Sequence, residues 1–118
     1  MSLSKIKDEI LKAKRIGLSF HTSPDAIGST LSLLNALRYI GKDAYVISRD
    51  VIPDNFSCLS FSEEIDGETT KPDKNTDLVI ILDCGNVERI SADLSDYKGM
   101  IIDLDHHVSN ENYGHINF

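Results

Sequence analysis

The sequence predicts an α/β fold: a parallel sheet of about four to five strands with helices on both faces. Three observations predict it. Continuous apolar runs at 16–20, 78–82 and 100–104 have the length and composition of strands buried on both faces rather than the alternation of half-exposed ones. Between Ile16 and Ser48 the pattern runs strand, helix, strand in about 30 residues, the size of a βαβ crossover, and such crossovers join parallel strands. Each of the three runs also ends in groups able to ligate a metal or move a proton. His21 follows the first, with Asp25 just beyond; Asp83 follows the second; Asp105-His106-His107 follows the third.

The elements are justified in chain order. Residues 3–14 read as an amphipathic helix, with Leu3, Ile6, Ile10 and Ala13 at helical spacing and Lys5, Lys7, Asp8 and Lys14 polar. Residues 16–20 form the first strand and 22–25, with Pro24, a turn. Residues 27–40 form the next helix, its apolar side carrying Leu31, Leu34, Leu37 and Ile40, and Gly41 terminates it. Residues 44–48 are the second strand. Residues 50–76, interrupted by Pro53, Gly67 and Pro72, are mixed, with a short helix expected at 54–60. Residues 78–82 and 100–104 are the next strands, and Ile116-Asn117-Phe118 reads as the start of another.

A chain of 118 residues is one domain, and 41% hydrophobic residues is an ordinary globular mix that can pack a core. No stretch approaches the roughly 20 apolar residues a membrane helix needs, and the start lacks the apolar centre of a secretion signal. Two cysteines, Cys58 and Cys84, do not make a disulfide framework; read as small buried residues of a reducing compartment, they point to the cytoplasm. A net charge of −7 argues against a broad nucleic-acid surface. It leaves room for a small phosphate substrate, because bound divalent cations would reverse the field locally.

Ligands of open parallel sheets bind beyond the carboxyl ends of the strands, where His21, Asp25, Asp83, Asp105, His106 and His107 all fall. Carboxylate and imidazole without thiolate suit Mn²⁺, Mg²⁺, Fe²⁺ or Zn²⁺. Carboxylates shared by two such ions form the usual clamp for phosphate-ester hydrolysis. Taken singly, the groups have plainer readings. His21 could bond backbone, Asp25 reads better as a helix cap, and Asp83-Cys84-Gly85 is a common strand-to-turn sequence. Adjacent histidines behind a buried strand are harder to explain that way, and the conjunction of three such ends carries the case. Ser23, Ser29, Ser109 and Asn110 could bond a phosphate or serve as turn residues. Arg89 could point a guanidinium at a phosphate or lie on the surface. Gly28 belongs to no phosphate-loop pattern.

With these residues in place, the chain resembles the DHH phosphoesterases, named for the triplet seen here as Asp105-His106-His107. The stretch His21-Thr22-Ser23-Pro24-Asp25-Ala26-Ile27-Gly28-Ser29 is similar to the first family motif. Asp83-Cys84-Gly85-Asn86 through Arg89-Ile90 is similar to the second, and Asp105-His106-His107-Val108-Ser109-Asn110 to the third. The resemblance runs nearly the whole length. It is greatest to the bacterial oligoribonuclease and pAp-phosphatase branch; RecJ-type exonucleases, cyclic-dinucleotide phosphodiesterases and family II pyrophosphatases are relatives.

The resemblance implies a Rossmann-like three-layer domain, two Mn²⁺ ions, and a bridging hydroxide that attacks phosphorus in short oligonucleotides or nucleotides. It implies that His21 and Asp25 hold one metal, Asp83 bridges both, His106 holds the other, Asp105 orients the ligands, and His107 faces the scissile phosphate. Arg89, Ser109 and Asn110 are the substrate-binding candidates. Two departures stand out. The family's first motif reads His-x-x-Pro-Asp-x-Asp-Ala, whereas here Asp25 runs straight into Ala26, so one carboxylate is missing. Counted from His21, Asp25 matches the first aspartate; counted back from Ala26, the second; the offset from the strand end favours the first. Family members also continue with a further metal-binding Asp and a carboxy-terminal substrate-binding domain, so residues 1–118 are expected to be an incomplete amino-terminal DHH domain. The sheet edge left by an early end would invite self-association. Two alternatives stand beside the hydrolase: an inactive fragment or degenerate member binding at most one metal, and an unrelated α/β binding module whose strand-end carboxylates are caps.

Overall fold

The computed structural model describes residues 3–21, 24–49, 64, 65, 67–83, 90, 92–104, 114, 116 and 117. Their elements are α1 (Leu3–Lys12), β1 (Arg15–Phe20), α2 (Pro24–Tyr39), β2 (Asp43–Val46), β3 (Leu78–Leu82), β4 (Met100–Leu104) and β5 (Ile116–Asn117). The strands form one five-stranded sheet in the order β2-β1-β3-β4-β5, and every pairing is parallel. The parallel α/β class expected from the apolar runs is the one observed, and the short terminal strand is present. The helix expected at 54–60 lies outside the described residues, as do Cys58 and Cys84.

Apolar alternation builds a core on each face of the sheet. Ile16, Leu18 and Phe20 of β1, Ala44 and Val46 of β2, Leu78, Ile80 and Leu82 of β3, and Ile102 of β4 turn to one face. There they meet Ile6 and Ala13 from the first helix and its end, and Ala26, Ile27, Leu31, Leu34 and Leu37 of α2. Val79, Ile81 and Ile101 turn to the other face, where Ile47, Ile90, Ala92, Leu94 and Tyr97 cover them. Both described helices therefore lie on one face, and the chain around residues 90–99 packs on the other. All five side chains of β3 are buried. Removing them from water favours the fold by roughly 1.5–3 kcal/mol per large aliphatic side chain.

The ends of the elements shift from expectation for identifiable reasons. The second helix begins at Pro24 rather than residue 27, because proline's fixed φ suits a first helical turn. It closes with Gly41 at φ 86°, where the Gly41 N–H donates to the Arg38 carbonyl at 3.0 Å and the Lys42 N–H to the Leu37 carbonyl at 2.9 Å. These two bonds satisfy carbonyls the helix itself leaves open. The first helix stops at Lys12 rather than residue 14. Just beyond it the Lys14 and Arg15 amides donate to the Asp77 carboxylate at 2.9 and 3.0 Å, a bond across 60-odd residues that pulls the chain into β1. Lys42 Nζ covers the open end of α1, donating to the Leu11 and Ala13 carbonyls at 2.5 and 3.1 Å.

The β2 edge is guarded. Arg38 Nη2 and Nε donate to the Ala44 carbonyl at 2.9 and 3.2 Å, and the same guanidinium is held by both carboxylate oxygens of Glu64. The Ser48 N–H donates to the Thr69 carbonyl at 2.8 Å. A charged group and a crossing segment thus occupy backbone that could template another strand.

At the amino ends of the strands, the Arg15 guanidinium donates to Asp43 at 2.8 Å and Asp73 at 2.7 Å and lies 4.1 Å from the centre of the Tyr45 ring. Burial pushes the Asp73 carboxyl upward, but hydrogen bonds from Arg15, Thr76 and the Asn75 amide outweigh it and hold the group below its ordinary value. A carboxyl depressed in the folded state stabilises the fold above its unfolded pKa, and that contribution goes as pH falls through the folded one. Acid titration followed by circular dichroism should therefore show stability dropping below about pH 4. Asp73→Asn should flatten that drop while lowering stability at pH 7.

Two buried hydroxyls, those of Ser19 and Thr30, have no hydrogen-bond partner among the described residues. Thr30 lies within the buried stripe of α2. Replacing an orphaned buried hydroxyl by a methyl of similar shape removes its desolvation penalty. Thr30→Val should raise stability by about 1 kcal/mol, a Tm increase of roughly 4 °C by calorimetry; a lower Tm would show that the hydroxyl is satisfied.

Candidate metal centre at the carboxyl ends of the strands

The strand order 2-1-3-4-5 reverses between β1 and β3, since the chain leaves β1 toward β2 on one side and later returns to build β3 on the other. At such a reversal the connections diverge to opposite sides and leave a crevice past the carboxyl ends. Phe20 pairs with Leu82, and Leu82 with Leu104, so β1, β3 and β4 finish level. His21 is the next residue after β1 and Asp83 the next after β3, both half-buried. An imidazole and a carboxylate thus leave neighbouring strands on the two sides of the reversal.

Asp83 holds a local conformation that most side chains resist. Its φ is 54°, in the left-handed region, and its N–H donates to the Leu104 carbonyl at 2.8 Å. Aspartate is among the few residues other than glycine that enter this region readily. The turn ends β3 abruptly and ties the Asp83 backbone to the end of β4. Strain at a strand end of this kind is characteristic of positions where side-chain placement matters.

On the other side of the crevice, only residues 21–23 separate β1 from α2, so the helix starts at the same end of the sheet. Its first turn presents backbone N–H groups and the positive end of the helix dipole there. Asp25 falls in that first turn, directly after Pro24 at the entry position. The Asp25 side chain lies outside the described residues. The apolar stripe of α2 packs on β1 and β2 and anchors this helix end beside the crevice.

Among the expected site residues, the structure brings His21 and Asp83 to one edge and sets the backbone of Asp25 nearby in sequence. Arg89, Asp105, His106, His107, Ser109 and Asn110 lie outside the described residues. Among the described residues no cluster of three His, Cys, Asp or Glu side chains is assembled. One acidic residue escaped attention in the sequence. Asp103, paired with Ile81, is wholly buried, and strand alternation places it on the face of Ile81 and Ile101, one pleat below the end of β4. A carboxylate within an otherwise apolar run was the signal, since a buried charge is retained only with compensation.

A donor-bearing crevice at the order reversal of a parallel sheet defines the class: an α/β protein whose ligands meet the strands' carboxyl ends. Residues 15–118 match the DHH family, N-terminal domain, and the chain belongs to that family. The bifunctional oligoribonuclease and PAP phosphatase NrnA of Thermus thermophilus is 34% identical over 112 residues, covering 92% of this chain and 33% of that protein. The crystal structure of an exopolyphosphatase-related protein from Bacteroides fragilis shares the fold, with a TM-score of 0.80 and 24% identity over 98% of this chain and 37% of its own. The chain thus spans about a third of the length of these relatives. Family membership removes the unrelated binding module from consideration. No described helix is long and apolar enough to cross a membrane.

The Asp83 backbone carries its own test. Asp83→Gly should leave backbone strain unchanged or relieved, whereas Asp83→Val, with a branched Cβ, should be less stable than the glycine variant by about 1–2 kcal/mol in urea unfolding. Equal stabilities would mean that the turn relaxes without penalty.

Proposed function

We propose that this chain is the amino-terminal, metal-holding domain of a DHH phosphoesterase that hydrolyses phosphoester bonds in short oligonucleotides or nucleotides. The observation that carries the reading is the emergence of His21 and Asp83 from adjacent strands at the order reversal. The donor types fit a divalent cation: one imidazole and one carboxylate, both half-buried. The NrnA relative, whose name states oligoribonuclease and PAP phosphatase activities, supports the substrate class.

In this reading His21, Asp25 and Asp83 hold one ion, and Asp83 with His106 holds a second, both Mn²⁺. The ions supply positive charge for the phosphoryl oxygens and a water acidified near neutral pH. Asp105 fixes the orientation of the neighbouring imidazoles, as carboxylates behind metal-ligating histidines do. His107 faces the phosphate and stabilises its developing charge. Arg89, Ser109 and Asn110 bind the phosphate, Arg89 through paired N–H donors. The left-handed Asp83 backbone pre-sets the direction of the shared carboxylate, which lowers the ordering cost of ion binding. A carboxy-terminal domain outside this sequence completes substrate binding, and the protein works in the cytoplasm. The β5 side of the sheet is the edge through which copies would associate.

One observation favours a reduced version of this reading, a member that holds a single ion weakly and turns over slowly: the first motif carries one aspartate where the family carries two. Manganese titration by calorimetry, with a model phosphodiester assay in parallel, separates the two. We expect at least one Mn²⁺ to bind, with Asp83→Asn weakening it at least about tenfold, equivalent to about 1.4 kcal/mol, and little or no turnover by these 118 residues alone. Hydrolysis abolished by His106→Ala would favour the full two-ion site. Binding of no ion, or binding indifferent to Asp83→Asn, would sink both versions.

A further inference from the structure

Polar side chains enter the interior of the sheet directly beneath the candidate metal centre. On the face opposite the helices, register sets residues in rows across the strands. Gly17, Val79 and Ile101 form one row, and it is apolar. Ser19, Ile81 and Asp103 form the next, one pleat nearer the carboxyl ends, and both Ser19 and Asp103 are wholly buried. Alternation carried past β1 puts His21 above Ser19 on this same face, about 6.6 Å further along the strand direction.

The Ser19 hydroxyl has no hydrogen-bond partner among the described residues. Its neighbours across the sheet offer none. Ile81 stands beside it on β3. On the other side Ile47, one residue past β2, donates its N–H to the Leu18 carbonyl at 2.7 Å. The Ile47 side chain lies over Gly17, where a Cβ would come within 2.6 Å of Ile47 Cδ1, and so closes the space below Ser19 with aliphatic carbon. The next polar side chain along the strand is His21, half-buried at the strand end.

Burying a hydroxyl without a bond is unfavourable, and alanine would fill this position without that cost. A histidine that ligates an ion through one ring nitrogen donates the N–H of the other to a nearby acceptor, which fixes its tautomer and its orientation. A serine hydroxyl one pleat below can accept that bond through its oxygen lone pairs. Aliphatic walls around the hydroxyl leave it this one polar direction and keep the bond away from competing groups.

We infer that Ser19 is a positioning residue of the metal centre: its hydroxyl oxygen accepts the N–H of the His21 ring nitrogen that faces away from the ion, directly or through one water. The inference rests on the proposed role of His21 as a ligand. It adds a residue from inside the sheet, which touches neither ion nor substrate and acts through the imidazole above it.

The test is calorimetric titration of the full chain with Mn²⁺, with the Tm of the metal-free chain measured beside it. In Ser19→Ala we expect that Tm to be equal or higher, and Mn²⁺ affinity to fall about tenfold. A side chain that merely packs would move the two together. In the Zn²⁺-loaded parent chain, nitrogen-resolved NMR should show a slowly exchanging ring N–H on His21 that exchanges fast in Ser19→Ala. Thr30→Val, which removes the other orphaned hydroxyl, should bind Mn²⁺ as the parent does. A lower metal-free Tm in Ser19→Ala would show the hydroxyl bonded without the ion, and unchanged Mn²⁺ affinity would show it idle. Either result overturns the proposal while Asp83→Asn still weakens binding and the centre stands. A parent chain that binds no Mn²⁺ would instead remove the centre itself, and this proposal with it.

Discussion

The structure depends on the burial of β3 from both sides. Leu78, Ile80 and Leu82 face the helix layer, while Val79 and Ile81 face the layer formed around Ile90 and Tyr97. A strand with no exposed side chain cannot slip by one residue without exchanging its two cores, so its register against β1 and β4 is fixed by packing. That register in turn makes Phe20, Leu82 and Leu104 level. The levelness matters because residues immediately after level strand ends emerge at one height, whatever their separation in sequence. His21 and Asp83, 62 positions apart, become neighbours across a crevice through this constraint alone.

Parallel pairing gives the molecule two chemically different ends. Every carboxyl end lies on one side, with the start of α2 beside it, and polar donors gather there around a strained turn at Asp83. Every amino end lies on the other, where Arg15, Asp43, Asp73 and Asp77 lock the strand starts together through charge-assisted bonds. The locking is structural: the Asp77 carboxylate receives the amides of Lys14 and Arg15, which the end of α1 would otherwise leave unsatisfied. Tyr97, its hydroxyl pushed to a higher pKa first by burial and then by the charge of Asp77 and by Tyr45, stays neutral and serves as a packed strut. An α/β domain organised this way can vary the chemistry of one end without disturbing the braces of the other.

The chain belongs to the DHH family and matches about a third of each relative's length. A metal held at strand ends needs ligands from several strands, and a phosphoester needs surfaces on both sides of the scissile bond. In the proposed reading the first comes from His21, Asp25, Asp83 and His106, and the second from a further domain.

The sequence by itself determined the class of fold, the five strands and the candidate donors, because continuous apolar runs and a βαβ spacing are local signals that survive without coordinates. It also carried the family, because motif order is a property of the chain. Element ends were less legible. Pro24 opens α2 where a turn was expected, and α1 ends early because Asp77 captures Lys14 and Arg15 from far along the chain. Asp103 passed as one more strand residue because nothing local marks how deeply a position in β4 is buried. Strand order, the reversal between β1 and β3 and the left-handed turn at Asp83 were decided only in three dimensions. Each depends on which strands lie side by side, and that is settled by packing between residues distant in sequence, which no local pattern encodes.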